Sequence, residues 1–312
     1  MKLGPVAICG PTAAGKTATA VALAKALMSD GYPCEIVNAD SMYLYRGMDI
    51  GTAKPGVKQQ DGVVHHLIDV LDITQAASVA LIQQLGRNII DELLDQQIIP
   101  LVVGGSALYL HAILDEFEFP PTDEATRAKY ESQLLQLGPN ALHAKLAEIA
   151  PQAAAAVLPN NGRRIVRALE ILELGGTFTG TLPPLSYHYD HTVQFGLKIA
   201  REAMDAAIAA RVHKMWQDGF VAEVTRLAAR GLAQAPTASR ALGYQQILAF
   251  LAGTVSEQQA IADTITGTRK FSRKQLMWYR RDNRIIWFDY DDNARVSKMK
   301  NKTLVQVGDD AH

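Results

Sequence analysis

Residues 6–17 read VAICGPTAAGKT, an apolar run that breaks at once into a glycine turn and a Lys-Thr pair. The stretch matches G-x-x-x-x-G-K-[ST] in full, with Gly10, Gly15, Lys16 and Thr17 at the fixed positions and Pro11, Thr12, Ala13 and Ala14 between them. The run before it predicts a buried strand. KTATAVALAKALMSDG (16–31) predicts the following helix, stopped by Gly31, so the motif sits in the strand–loop–helix context it requires. Its glycines let successive N–H groups turn onto one anion, the helix N-terminus adds its positive end, and Lys16 supplies a point charge. The loop is expected to hold phosphates, with the Thr17 hydroxyl helping to place a magnesium ion beside them.

Outward from the loop, apolar runs alternate with helical patterns, the signature of an α/β fold. PCEIVNAD (33–40) predicts a second strand with Asp40 at its carboxyl end. Ile82, Leu85, Ile89 and Leu93 recur three or four residues apart and predict a helix, and IIPLVVGG (98–105) a further strand. After Leu114 helical periodicity and proline breaks continue without a convincing strand. TVQFGLKIA (192–200) returns to strand character, one long helix is expected from Arg201 to Gly231, and two more helices lead to the strand RIIWFD (284–289). The expected fold is a P-loop NTPase-like parallel sheet flanked by helices, with an all-helical insertion domain. Its core spans 1–115 and 191–290, the insertion 116–190, and 291–312 form a polar tail.

With 312 residues, 48% of them hydrophobic, the chain can bury a large core, while a net charge of −1 leaves no global field to pull it onto nucleic acid or an acidic membrane. Any anionic partner must be met by a local patch. Cys9 and Cys34 lie in apolar runs without metal-ligand spacing, which favours reduced core thiols. His65 and His66 are adjacent and lack a further ligand at metal spacing, so a structural or phosphate-side role is expected rather than zinc. Trp216 and Phe220 read as core. The amino-terminal sequence carries no long apolar stretch, and a cytoplasmic protein without membrane contact is expected.

The loop alone does not settle the reaction. Asp40 suits a magnesium ligand of a small-molecule kinase as well as a general base, but it opens DSMYLYRGMDIGTAKP (40–55), which is more elaborate than a metal ligand needs. GPTAAGKT, NADSMYLYRGMDIGTAKP, HHLIDV, LVVGGSALYL, NNGRRIVRALEIL, ALGYQQI and TRKFSRKQLMWYRR, in that order, together resemble the tRNA dimethylallyltransferase (tRNA isopentenyltransferase) family across about residues 5 to 288. Three positions depart from its usual pattern: Ala14 stands for Ser, GGSALY for GGTGLY, and Tyr43 for a frequent Gln. Ser106 keeps a hydroxyl at the second of these.

The resemblance implies transfer of a dimethylallyl group from dimethylallyl diphosphate to N6 of the adenosine just 3′ of a tRNA anticodon. The catalytic residues it implies are Asp40 as general base, with Ser106 and Arg211 beside the phosphate loop on the departing diphosphate; Mg2+ is the implied cofactor. It also implies contact with the anticodon stem-loop by Asp40, Ser41, Met42 and Tyr43, by Arg163, Arg164, Ile165, Val166 and Arg167 of the insertion, by Arg240, Ala241, Leu242, Gly243, Tyr244 and Gln245, and by Arg273 and Lys274. The residues themselves point the same way. Arg269, Lys270, Arg273, Lys274, Arg280, Arg281 and Arg284 are nearly unrelieved by acid, and Trp278 and Tyr279 offer stacking surface beside them. A prenyltransferase acting on free AMP would share the core motifs but leave these cations idle. A monomer is expected.

Overall fold

The computed structural model describes residues 3–181 and 183–308. The first two residues of the expected core and the last four of the expected tail lie outside them. Among the described residues, strands β1 (Val6–Cys9), β2 (Cys34–Asn38), β3 (His65–His66), β4 (Ile99–Val103), β5 (Val193–Lys198) and β6 (Ile285–Asp289) form one sheet in the order β3-β2-β4-β1-β5-β6. Every neighbouring pair is parallel. The chain divides into two compact units, residues 1–116 with 186–312, and Phe117–Leu185.

The central strands β1 and β4 read as continuous apolar runs because both faces of the sheet are covered there. Ala7, Cys9, Val37 and Val102 point into one core layer, while Val6, Ile8, Ile36, Leu101 and Val103 point into the other. Both cysteines are free and buried. The helices of this unit that precede the insertion are α1 (Lys16–Ser29), α2 (Val57–Gln60), α3 (Val79–Asp95) and α4 (Ala107–Leu114). From β1 the chain passes to β2 and β3, returns to place β4 beside β1, and then crosses to β5 on the other side. Strand order therefore reverses at β1, and a ligand crevice opens beyond the carboxyl ends of strands at such a point.

The second unit holds α5 (Glu124–Ile149), α6 (Pro151–Ala155) and α7 (Gly162–Glu173). α5 is broken at Gly138, whose φ of 77° and ψ of 166° precede Pro139. Tyr130, Leu142, Leu146, Ile165 and Leu169 form its own small core. Glu170, fully buried, accepts hydrogen bonds from the Thr122 hydroxyl at 2.7 Å and from Arg127 and Arg167, and fastens the start of α5 to α7.

After the insertion come α8 (Arg201–Gln217), α9 (Phe220–Ala228), α10 (Tyr244–Leu251), α11 (Glu257–Tyr279) and α12 (Arg295–Gly308). The single helix expected from Arg201 to Gly231 is two, because Gly219 adopts φ 99° and ends α8 in a left-handed turn. The segment expected as a polar tail carries α12. Met299 is fully buried, Arg295 Nε donates to Thr19 Oγ1 at 3.3 Å, and Lys300 pairs with Asp30 at 2.7 Å, so α12 packs on α1. Its inward stripe of Val296, Met299 and Thr303 is narrow and is obscured in the sequence by intervening lysines and asparagine. Among the described residues, no helix is long and apolar enough to cross a membrane.

Candidate active site

The carboxyl ends of β1, β2 and β4 converge because their registers align, with Ile8 level with Val103 and Asn38 with Val103. The segments that continue from these strands, residues 10–17, 39–43 and 104–106, consequently face one another. Together with α8, α10 and α11 they line a cavity of about 1160 Å³.

The phosphate loop carries a non-glycine left-handed residue, Ala13 at φ 70°, beside Gly15 at φ 77°. Ala in that region costs roughly 1–2 kcal/mol, a strain that the surrounding loop must hold. Lys16 Nζ donates to Pro11 O at 2.9 Å and stays beneath the loop. Burial pushes its ammonium down to about 8; Asp40 opposes that shift and Arg211 adds to it. An incoming anion would restore the charge. Thr12 is tied to α11, with its N–H and hydroxyl both donating to Gln275 Oε1 at 3.0 and 3.1 Å. Ala14 is buried, and the Thr12 hydroxyl is engaged by Gln275 rather than standing in for a serine there.

Asp40 comes just after β2 in a turn that its own carboxylate stabilises, since the Met42 N–H donates to Asp40 Oδ1 at 3.0 Å. Asn38 braces the same turn from below through Asp40 O and Leu67 O. Asp40 therefore lines the cavity in a fixed orientation together with Lys16, Thr17, Ser106 and Arg211. Arg211 Nη2 donates to Thr52 O at 3.0 Å. The Tyr43 hydroxyl donates to Ala53 O at 3.0 Å, and burial, aided by Asp40, pushes its pKa up to about 12, so it remains a neutral donor. Phe220 and Tyr244 pack edge to face at 4.9 Å and, with Ile208, Val212 and Met215, make the remaining wall largely apolar. Phe220, expected as core, is fully buried and borders the cavity as well.

The expected magnesium site can be judged from its donors. Thr17 and Asp40 offer hard oxygen atoms to the cavity, while the described residues contain no cluster of three or more Asp, Glu, His or Cys side chains able to cage a metal. That set suits Mg2+, which takes one or two protein oxygens and draws its other ligands from phosphate and water. His65 and His66 are held apart, Nδ1 of the first against Val63 O and Nε2 of the second against Glu35 Oε2, and His65 also lines the cavity.

The residues expected at RNA fall into two groups. Arg240, Gln245, Lys270 and Lys274 are exposed on the cavity rim, and neither lysine has an acidic partner among the described residues. Others are buried or held by partners within the protein, though Ser41, Ala241 and Tyr244 also line the cavity. Ser41, Ala241, Gly243 and Tyr244 are buried, with Tyr244 donating to Glu223. Tyr279, expected as stacking surface, is fully buried against Gly104, and only Trp278 stands exposed with Arg281 over its ring. Arg284 is committed to Asp115 at 2.6 Å and Asp282 at 2.8 Å, because two buried carboxylates require a cation. Arg273 bonds Asp205 at 2.7 Å, and Arg269 bonds the Asp205 carbonyl. Within the insertion, Ile165 and Val166 are core residues, Arg167 is held by Glu170 and by the Pro120 and Pro121 carbonyls, Arg164 bonds Gly180 O, and Arg163 is exposed.

Two contributors escape a reading of the sequence as chemistry. Gln275 lies inside a basic run and draws no notice beside its charged neighbours. Glu223 leaves a detectable trace, since it falls on the same helical stripe as Phe220, Val224 and Leu227, where an acid has no solvated place to go.

Residues 43–282 match the family described as IPP transferase. A tRNA dimethylallyltransferase of Cutibacterium acnes is 51% identical over 307 residues, covering 98% of this chain and 95% of its own length. One from Salinispora arenicola is 55% identical over 293 residues, covering 94% and 84%. Among solved structures, the tRNA isopentenylpyrophosphate transferase of Bacillus halodurans superposes with a TM-score of 0.72 at 36% identity, covering 100% of this chain and 99% of that one. A eukaryotic dimethylallyltransferase acting on tRNA gives 0.78 at 22% identity, covering 100% and 79%, a likeness of fold alone. Identity above one half over nearly the whole length, together with the match across residues 43–282, leaves no part of the cavity outside the likeness, and the chain belongs to the IPP transferase family.

Proposed function

We propose that this chain transfers the dimethylallyl group of dimethylallyl diphosphate to N6 of adenosine 37 in tRNAs reading codons that begin with U, giving N6-isopentenyladenosine and diphosphate. The observation that carries the reading is the shared cavity: the phosphate loop and Asp40 face the same space, with an apolar wall between α8 and α10 suited to a prenyl chain.

In this reading the N6 amine attacks C1 of the donor as the C1–O bond to diphosphate breaks, and Asp40 receives the N6 proton. The loop amides, Lys16, Ser106 and Arg211 take up the negative charge that develops on the departing diphosphate. Thr17 would help to hold Mg2+, which when bound would supply positive charge beside the diphosphate. The apolar wall excludes water that would otherwise capture a carbocation-like prenyl group. Adenosine 37 must leave its stack to reach Asp40, at a cost of a few kcal/mol that unpaired anticodon-loop bases can meet. Lys270, Lys274, Arg240 and Gln245 on the rim would receive the anticodon stem-loop, with a monomer acting in the cytoplasm.

Incubation with labelled dimethylallyl diphosphate and tRNA, AMP or ATP, each alone, tests the proposal. Label should enter tRNA only, and substitution of adenosine 37 should abolish it. Labelling of AMP or ATP instead, or phosphoryl transfer from ATP, would overturn it.

A further inference from the structure

Glu223 is a buried carboxylate with no part in the proposed transfer chemistry. It lies on the inner stripe of α9 and is 1% exposed. Its charge is met by hydrogen bonds, most of them from one short segment. The N–H groups of Asp49 and Ile50 donate to Oε2 at 3.0 and 2.7 Å, that of Gly51 donates to Oε1 at 3.2 Å, and the Tyr244 hydroxyl donates to Oε1 at 2.6 Å. Three consecutive amides on one carboxylate form an anion nest built from the protein's own chain.

The two residues just past the nest give it a function, because their carbonyls hold cavity side chains. Thr52 O accepts from Arg211 Nη2 and Ala53 O from the Tyr43 hydroxyl, both at 3.0 Å. The segment is also pressed onto α9, because a Cβ on Gly51 would lie 2.1 Å from the Phe220 ring. Glu223 therefore fixes residues 49–51, these fix the carbonyls of 52 and 53, and the carbonyls aim one side chain expected at the leaving group and another expected at the acceptor base. A neutral isostere cannot do the same. Glutamine has one acceptor oxygen, and its NH2 would confront a backbone N–H.

We propose that Glu223 is a positioning residue for prenyl transfer, setting Arg211 and Tyr43 together through the 49–53 segment. The proposal rests on prenyl transfer to tRNA being the reaction, and it assigns a purpose to GMDIGTAKP (47–55), which supplies no catalytic side chain of its own to that reaction.

The test compares Glu223→Gln and Glu223→Asp with the native chain. Amide hydrogen exchange reports the segment, steady-state kinetics reports the reaction, and circular dichroism reports folding. Amides 49–51 should be protected in the native chain and exchange faster in both variants. In the folded variants kcat/KM for dimethylallyl diphosphate should fall by about tenfold to a hundredfold, the loss expected when reacting groups shift by a fraction of an ångström to an ångström. The KM for tRNA should change less, since Tyr43 is one of many expected tRNA contacts. Adding Glu223→Gln to Arg211→Lys should cost much less than the product of the two single losses, as expected for residues acting through one another. Glu223→Asp carries the test if the glutamine variant does not fold. Undiminished kcat/KM in a variant whose 49–51 amides exchange freely would overturn the proposal, as would amides that stay protected or losses that simply multiply. A native chain inert toward tRNA would instead refute the reaction, leaving the exchange data to report on Glu223 separately.

Discussion

Thr12 and Gln275, 263 positions apart, are joined by two hydrogen bonds to a single oxygen, from the Thr12 N–H at 3.0 Å and its hydroxyl at 3.1 Å. The contact ties the phosphate loop to α11, the helix whose outer face carries Lys270 and Lys274. Gln275→Ala leaves both donors of Thr12 without their acceptor. At about 1 kcal/mol net per lost hydrogen bond, the KM for dimethylallyl diphosphate should rise roughly tenfold or more with far-ultraviolet circular dichroism unchanged. An unaltered KM in steady-state assays would show that the loop holds its shape without α11.

Asp40→Asn keeps an acceptor for the Met42 N–H and so preserves the turn, but removes the base. Single-turnover rates should drop by about 10²–10⁴-fold, the usual contribution of a positioned base. tRNA affinity by filter binding should stay close to native. A rate within a factor of a few of native would remove Asp40 from that role.

Lys16 predicts a pH dependence. Burial holds its pKa at about 8 in the free protein, against 10.5 for an ordinary lysine. Below pH 8 the ammonium is intact and available to the diphosphate; above it the free protein loses the charge. The kcat/KM profile for the donor should break downward near pH 8, approaching tenfold per pH unit, whereas kcat, which reports the complex, should break at higher pH because bound diphosphate stabilises the ammonium. Between 8 and 10.5 the unfolded chain binds the proton that the native one has shed, so this group makes stability rise with pH there. Lys16→Met should remove both effects.

Arg284 predicts a stability loss without a binding defect of its own. Replacing it with Leu takes the guanidinium from both Asp115, which keeps His111, and Asp282, and breaking such a buried pair costs about 3–5 kcal/mol in denaturant titrations. Burial alone would raise the Asp282 pKa, but the Arg284 hydrogen bonds more than offset it and hold it below the ordinary value. The stability this confers is present above the ordinary carboxylate pKa and disappears as pH falls through the depressed one. The acid limb of the native stability curve should flatten in the variant.

Lys270 and Lys274 predict the salt dependence. Each is exposed at the rim and free of an acidic partner among the described residues, unlike Arg273 with Asp205. If each meets a phosphate, the double alanine variant should lower the slope of log K against log salt for tRNA by roughly 2, while Arg284→Leu leaves the slope unchanged. Equal slopes in native and double variant would move the RNA interface elsewhere.

Order along the chain is enough to reveal the parallel α/β core, the phosphate-loop motif and the place of Asp40 at the carboxyl end of a strand. A strand must feed a glycine turn and a helix for the loop amides to converge, and apolar runs must be continuous where both sheet faces are covered, so these features are written locally. The same local logic misreads places where a residue's role depends on a distant partner. Gly219 ends a helix that periodicity extends, and α12 forms from a stretch that looks like tail because α1 supplies the surface Met299 needs. Arg284 and Tyr279 sit in a run that reads as RNA-facing until the tertiary fold assigns them to Asp115 and Gly104. Glu223 and Gln275 show the reverse, carrying no motif but holding the two loops that shape the cavity. Charge and apolar pattern are legible along the chain, whereas the partner that satisfies a buried charge or amide is chosen only when strands order themselves around β1 and bring residues hundreds of positions apart within hydrogen-bond reach.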